Sequence, residues 1–174
     1  YDMVSSTAGA YGADDDRALL MRSLRLPADT NPRTAAFAQE LRRKFPDDRN
    51  LVAEVLTRFR NQNFVYTLSP PLLGEHPVDE FLFETRRVFG EHYASAFTVL
   101  MRAPGVPARV VTGYLGGEVN PVGEYILVRQ ADAHAWTEIW LANTGWVRVD
   151  PTAAVSPARV ERGIVLVPET RELF

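Results

Sequence analysis

The chain has no cysteine among its 174 residues. Disulfides and cysteine-ligated zinc are therefore excluded, and no thiol is available to any chemistry. The same absence fits any compartment and so locates nothing. Long apolar runs are missing as well: none approaches the roughly 20 residues that a membrane-spanning helix needs, and no secretory signal opens the sequence at Tyr1. Starting at Tyr1 instead of methionine, the sequence reads as an excised or processed segment, such as a soluble part of a membrane protein. Charge of one sign is not concentrated anywhere. The net charge is -3, acids and bases are well mixed, and the arginines are scattered, so no nucleic-acid partner or polybasic membrane patch is expected. Histidine is scarce: His76, His92 and His134 are the three. None is spaced His-x-x-x-His or His-Glu-x-x-His, so a zinc hydrolase is rejected and a metal site would need carboxylates; no metal and no cofactor are expected. Gly116-Gly117 has no following Lys-Ser/Thr and reads as a turn, not a phosphate loop.

What is present points to one domain with a real core. Apolar residues make up 46% and charged residues 24%, an ordinary globular balance at a length too short for two comfortable domains. Residues 1–16, rich in Ser, Ala, Gly and Asp, read as a linker or lightly docked flexible tail. Residues 17–161 read as the domain and 162–174 as a C-terminal tail, in which Gly163 to Val167 form a possible edge strand. Asn31 is placed as the N-cap of a helix with Pro32 in its first turn and a stripe of Ala35, Ala36, Phe37, Leu41 and Phe45. A second helix follows Asp47-Asp48, burying Leu51, Val52, Val55, Leu56 and Phe59. Phe64 to Leu68 is strand-like, and Val78 to Phe83 is a turn of helix. A third strong helix begins after Gly90, with Tyr93, Ala96, Phe97, Leu100 and Met101 on one face and Gly105 as its stop. Beyond it the period changes to two: strands at Arg109–Tyr114 and Tyr125–Val128, then a hairpin of Ala135–Leu141 with Trp146–Val149. Helices first and an antiparallel sheet second make an α+β fold.

Three positions stand out. Gly90 precedes a helix, where unpaired N–H groups gather positive potential. That is where a reactive thiol would be activated, or an oxyanion held. His134 and Asp150 lie on the two strands of the hairpin. Side chains alternate along a strand, so both point to one face only if even positions pair with even, which requires a turn of three or five residues. A two-residue turn would separate them. On one face Asp150 would fix the tautomer and charge of His134. Taken singly, His134 is as well explained by partial burial and Asp150 by capping the turn at Pro151. Arg109 reads as half of a structural ion pair. Trp136 and Trp146 flank the proposed face, where core packing or an acyl-donor cleft wall would each account for them, or the Trp136 indole would help an oxyanion.

The order of motifs resembles the transglutaminase-like domains of the papain-like superfamily. Glu91-His92-Tyr93-Ala94-Ser95-Ala96-Phe97 and Arg102 to Tyr114 resemble the family's helix and following strand. Asp132-Ala133-His134-Ala135-Trp136 and Gly145 to Thr152 resemble its histidine and aspartate motifs. Upstream, Asn31-Pro32-Arg33, Phe64 to Leu68 and Asp79 to Arg87 resemble a subgroup carried as the periplasmic domain of bacterial inner-membrane proteins. The resemblance runs from about residue 20 to residue 161 and implies a papain-like α+β fold, with the helix of the nucleophile packed on an antiparallel sheet. It implies a Cys-His-Asp triad and acyl transfer or amide hydrolysis on a protein or peptide substrate. A glutamine or other amide would be the acyl donor and an amine or water the acceptor. Residue by residue, His134 and Asp150 take the second and third triad places, Glu91 and Trp136 are substrate-cleft candidates, and Gly90 stands where the family has its cysteine. Ser95 lies more than a helical turn away and cannot replace it. The chain as written is expected to form no acyl-enzyme, either as an inactivated enzyme domain or as a pseudoenzyme that binds a peptide or glycan in the old cleft.

Overall fold

The computed structural model describes residues 11–67, 71–88, 90–123 and 125–154. In chain order these form α1 (Arg17–Arg22), α2 (Pro32–Lys44), α3 (Asp48–Asn61) and β1 (Val65–Tyr66). Then come α4 (Pro77–Glu80), which runs directly into a π-helical turn (Phe81–Thr85), β2 (Arg87–Val88) and α5 (Gly90–Arg102). The second half is β3 (Ala108–Tyr114), β4 (Glu118–Asn120), β5 (Tyr125–Leu127), β6 (Ala133–Leu141) and β7 (Gly145–Val149). Helices lead and an antiparallel β3-β6-β7 sheet follows, which is the expected α+β arrangement. The strand expected at 125–128 is present as β5, and it pairs with β4 in a separate two-stranded hairpin. The proposed strand at Gly163 to Val167, like the whole 162–174 tail, lies outside the described residues, as does Leu68.

α5 is the axis of the molecule. Its Tyr93, Ala96, Phe97, Leu100 and Met101 are all buried, on the stripe the sequence predicts. Rings from three other segments close on it: Phe59 of α3, Phe64 before β1 and Phe81 of the π-helical turn. Phe81 and Tyr93 meet edge-on with centroids 5.1 Å apart, and Phe64 and Phe81 lie at 5.0 Å. Such pairs add directional attraction to the burial of large apolar area. α5 ends as its glycine requires. Gly105 has φ +96°, its N–H reaches Arg102 O, and Val106 N–H reaches Met101 O. This Schellman arrangement uses the left-handed conformation that a residue without Cβ adopts at little cost.

The start of α2 is held differently from the sequence expectation. Asn31 occupies the N-cap position but sits in the left-handed region and makes no cap to its own helix. Its Oδ1 instead accepts from Val78 N and Asp79 N, at the head of α4. Asp79 returns the favour, accepting from Arg33 N, Thr34 N and the Thr34 hydroxyl at 3.0, 2.7 and 2.5 Å. Each helix is thus capped by the other. The exchange also buries Thr34 and Ala38 in place of the predicted Ala35 and Ala36, which are exposed.

Parity in the sheet follows from its turn. Leu141 pairs with Gly145 and Trp140 with Trp146, so residues 142–144 form a three-residue turn and even pairs with even. The odd residues Thr137, Ile139 and Leu141 are buried. Thr137 donates to Ala94 O of α5 at 2.9 Å and meets the Thr98 hydroxyl at 3.1 Å, which fixes β6 on the helix. The even face looks the other way, and part of it is crossed by residues 11–16. There Trp140 Nε1 donates to Gly12 O at 2.8 Å, Trp146 Nε1 to Asp15 Oδ2 at 2.5 Å, and Trp146 N to Tyr11 O at 2.7 Å. Gly145, at φ +84°, is where this crossing is tightest: a Cβ there would collide with the Tyr11 carbonyl. Residues 11–16, read from the sequence as part of a linker or lightly docked tail, are hydrogen-bonded to the sheet.

Candidate active site

His134 is the second residue of β6, and Asp150 directly follows β7. Their common face brings them together: His134 Nε2 and Asp150 Oδ2 are 2.5 Å apart, with side chains only 13% and 17% exposed. Asp150 uses its other oxygen locally. Oδ1 accepts from Thr152 N at 3.1 Å and from the Thr152 hydroxyl at 2.6 Å. Burial alone would raise the Asp150 carboxyl. The hydrogen bonds from His134 and Thr152, with the charge of His134, outweigh it and hold the carboxyl below its ordinary value. An ionised carboxylate only accepts, so Nε2 carries the proton and donates it, leaving Nδ1 as the nitrogen for a reacting group.

Around this pair lies an aromatic and cationic layer. The rings of His134 and Trp136 are near-parallel, at 23° and 6.3 Å between centroids. The Arg148 guanidinium lies 4.3 Å above the Trp136 ring, with Nη2 3.8 Å from Asp150 Oδ2. The Trp136 indole nitrogen is buried and has no hydrogen-bond partner among the described residues. Farther along the same face, Arg109 forms the ion pair expected of it, donating from Nε and Nη2 to Glu138 Oε2 at 2.9 and 2.7 Å. It also lies 4.0 Å over Trp146. Trp146 therefore belongs to the packing under residues 11–16, whereas Trp136 belongs to the His134–Asp150 end. No group of three or more His, Cys, Asp or Glu able to hold a metal occurs among the described residues.

The profile of the Transglutaminase-like superfamily matches residues 35–151. The chain belongs to this superfamily. It is 52% identical over 143 residues to a protein-glutamine gamma-glutamyltransferase of Pseudomonas aeruginosa, covering 82% of this chain and 21% of that protein. It is 33% identical over 138 residues to the uncharacterized protein YebA of Bacillus subtilis, covering 75% and 19%. The chain thus spans about a fifth of the curated relatives it matches. The crystal structure of the periplasmic domain of TgpA from Pseudomonas aeruginosa superposes with a TM-score of 0.79 at 50% identity, covering 82% of this chain and 49% of that one. Its ethylmercury-bound form gives 0.81, covering 86% and 54%. A candidate cysteine protease from Cytophaga hutchinsonii, at 19% identity and a TM-score of 0.56 over 82% of this chain and 45% of that one, shares the fold alone.

Within this transglutaminase-like domain, the other residues singled out by sequence are placed as follows. Gly90 opens α5, one helical turn ahead of the Ala94 carbonyl that binds Thr137. Glu91 is exposed in the first turn of α5, where a carboxylate suits the positive end of the helix. Thr152 and Arg148 join the site without having been singled out for it. Asp-x-Thr is the spacing at which a carboxylate bonds a backbone N–H two residues on, so Thr152 carried a local signal. Arg148 carried the alternation of its strand, which puts it on the face of Asp150, but its stacking on Trp136 crosses between strands and had no local signal.

Proposed function

We propose that this chain is the acyl-transfer or amide-hydrolysis domain of a protein that acts on protein or peptide substrates by Cys-His-Asp chemistry, with position 90 as the seat of the nucleophile. The observation that carries the reading is the 2.5 Å His134–Asp150 bond, formed on the one sheet face that the three-residue turn makes common to both. In the reaction, a thiolate at the head of α5 attacks the carbonyl carbon of a glutamine or other amide. His134 takes the thiol proton and gives it to the leaving amine, and the acyl-enzyme passes to an amine or to water. Asp150 holds the ring and stabilises its charged form. Glu91 and Trp136 are proposed to border the cleft. With Gly90 in place no covalent intermediate forms, so the chain as written is catalytically silent. The Gly90 side also favours a second reading, a pseudoenzyme that binds a peptide or glycan. The likeness to the TgpA periplasmic domain supports a periplasmic setting, and we place the domain in a membrane-anchored bacterial parent. No helix of the described residues is long and apolar enough to cross a membrane.

The test is Gly90→Cys. With no other thiol present, iodoacetamide reports on that position alone, and Ser95→Cys, exposed on the same helix, is the control. A free thiol titrates near 8.5; a fall of about two units, offset by the lower nucleophilicity that accompanies it, gives alkylation about tenfold faster than the control at pH 5.5. The same variant should incorporate an amine into a glutamine donor, and the Gly90 chain should not. Equal alkylation of the two thiols would refute the triad. Peptide binding by the Gly90 chain, without turnover by Gly90→Cys, would favour the second reading.

A further inference from the structure

Trp136 does not stand upright on its own strand. It pairs across β3 with Val111, yet its ring leans toward the neighbouring pair, Gly113 with His134. A Cβ built on Gly113 would lie 2.8 Å from Trp136 Cη2 and 3.2 Å from Cζ3, the first too close for the ring to stay where it is and the second tight. Diagonal cross-strand neighbours are within reach of large aromatics, and a ring laid over a glycine on an outer strand is a recognised way to cover the gap a glycine leaves. β3 is such an outer strand in the β3-β6-β7 sheet. Here the covering ring has further neighbours that a purely structural cover would not need. It lies near-parallel to His134, carries Arg148 on its face, and leaves its own buried indole N–H without a partner among the described residues. A buried donor left unpaired is costly, so the ring is held in this pose by its neighbours and not by its own hydrogen bond.

We infer that Gly113 is a positioning residue for the proposed acid–base group: by leaving room for the benzo edge of Trp136, it sets the ring against which the His134 imidazole is aligned for its bond to Asp150. The inference rests on the functional reading above only in calling His134 the acid–base group. The atoms that a Cβ at 113 would strike belong to the six-membered ring of the indole, and phenylalanine at 136 is too short to place atoms there. Gly113→Ala should therefore act oppositely in the two backgrounds. With Trp136 present, the ring must move from the pose it holds beside His134. With Trp136→Phe, the clash is gone and the ordinary preference of a strand for alanine over glycine remains.

Two measurements on the Gly90 chain test this without requiring turnover. The first is thermal melting: Gly113→Ala should lower the melting temperature by about 2–4 °C or more, whereas adding it to Trp136→Phe should leave the temperature unchanged or raise it. The second is proton NMR: the low-field imidazole N–H signal expected of the short His134–Asp150 bond should shift or vanish in Gly113→Ala. The double variant should keep whatever signal Trp136→Phe shows. If Gly113→Ala does not fold but the double variant does, the inference stands. Equal loss of stability in both backgrounds, or loss of stability with the His134 signal unmoved, overturns it. Slow alkylation of Gly90→Cys would defeat the functional reading while leaving this coupling of rings intact.

Discussion

Asp150 divides its work between two oxygens, one turned to His134 and one to Thr152. The sequence admitted either a turn cap or a partner for His134, and the residue makes both contacts. Because its carboxyl is held below the ordinary value near 3.9, it binds protons less readily folded than unfolded. Its contribution to stability is then present above about pH 3.9 and is lost as pH falls through the folded value. Asp150→Asn lacks this component. The excess of the original chain over Asp150→Asn in urea midpoint should therefore narrow below about pH 4. A gap that widens on acidification would contradict the assignment. The residue identities of the site were legible because His134 and Asp150 sit in short, distinctive local contexts. Gly113 was not, and Arg148 only by the strand parity it shares with Asp150, since nothing within a few residues of either announces a particular contact across the sheet.

Among the elements, the ones predicted best are those whose burial is periodic. α3 and α5 bury the faces their spacing implies, because each packs one continuous stripe on the core. α2 does not, because its first turn answers to Asp79 and not to its own apolar residues. The local rule read Asn31 as the cap of the helix it precedes, and it was misled by a partner more than 40 residues away. The exchange predicts unequal costs. Asp79→Ala removes three bonds to a buried carboxylate, including both to backbone N–H groups of α2, and should cost about 2–3 kcal/mol. Asn31→Ala removes a neutral acceptor shared by two N–H groups and should cost about 1–2 kcal/mol. Urea unfolding of the two variants checks the ranking, and equal, negligible losses would show the caps to be incidental.

For the molecule as a whole, one apolar cluster extends from Ala38 and Leu41 through α5 to Ile139, Leu141 and Val149. Helical and sheet layers share it, so they should unfold together. The chain offers its own probes for this. All three tryptophans (Trp136, Trp140 and Trp146) lie on the β6–β7 hairpin, so fluorescence follows the sheet while far-ultraviolet circular dichroism follows the helices. The two denaturation curves should coincide, and separated midpoints would mean that the layers are independent. Helices before sheet could be read from the change of hydrophobic period alone. The docking of residues 11–16 could not, because it depends on two indole N–H groups finding acceptors well over 100 residues away.

That docking also determines where a mechanical load would enter the fold. Tension on the chain ahead of Tyr11 would be borne first by the Tyr11–Trp146, Gly12–Trp140 and Asp15–Trp146 bonds, before α1 or any other helix felt it. All three anchor on the hairpin that carries His134 and leads into Asp150. A pull from that side would thus be delivered to the strands beneath the proposed triad, and only through them to α5.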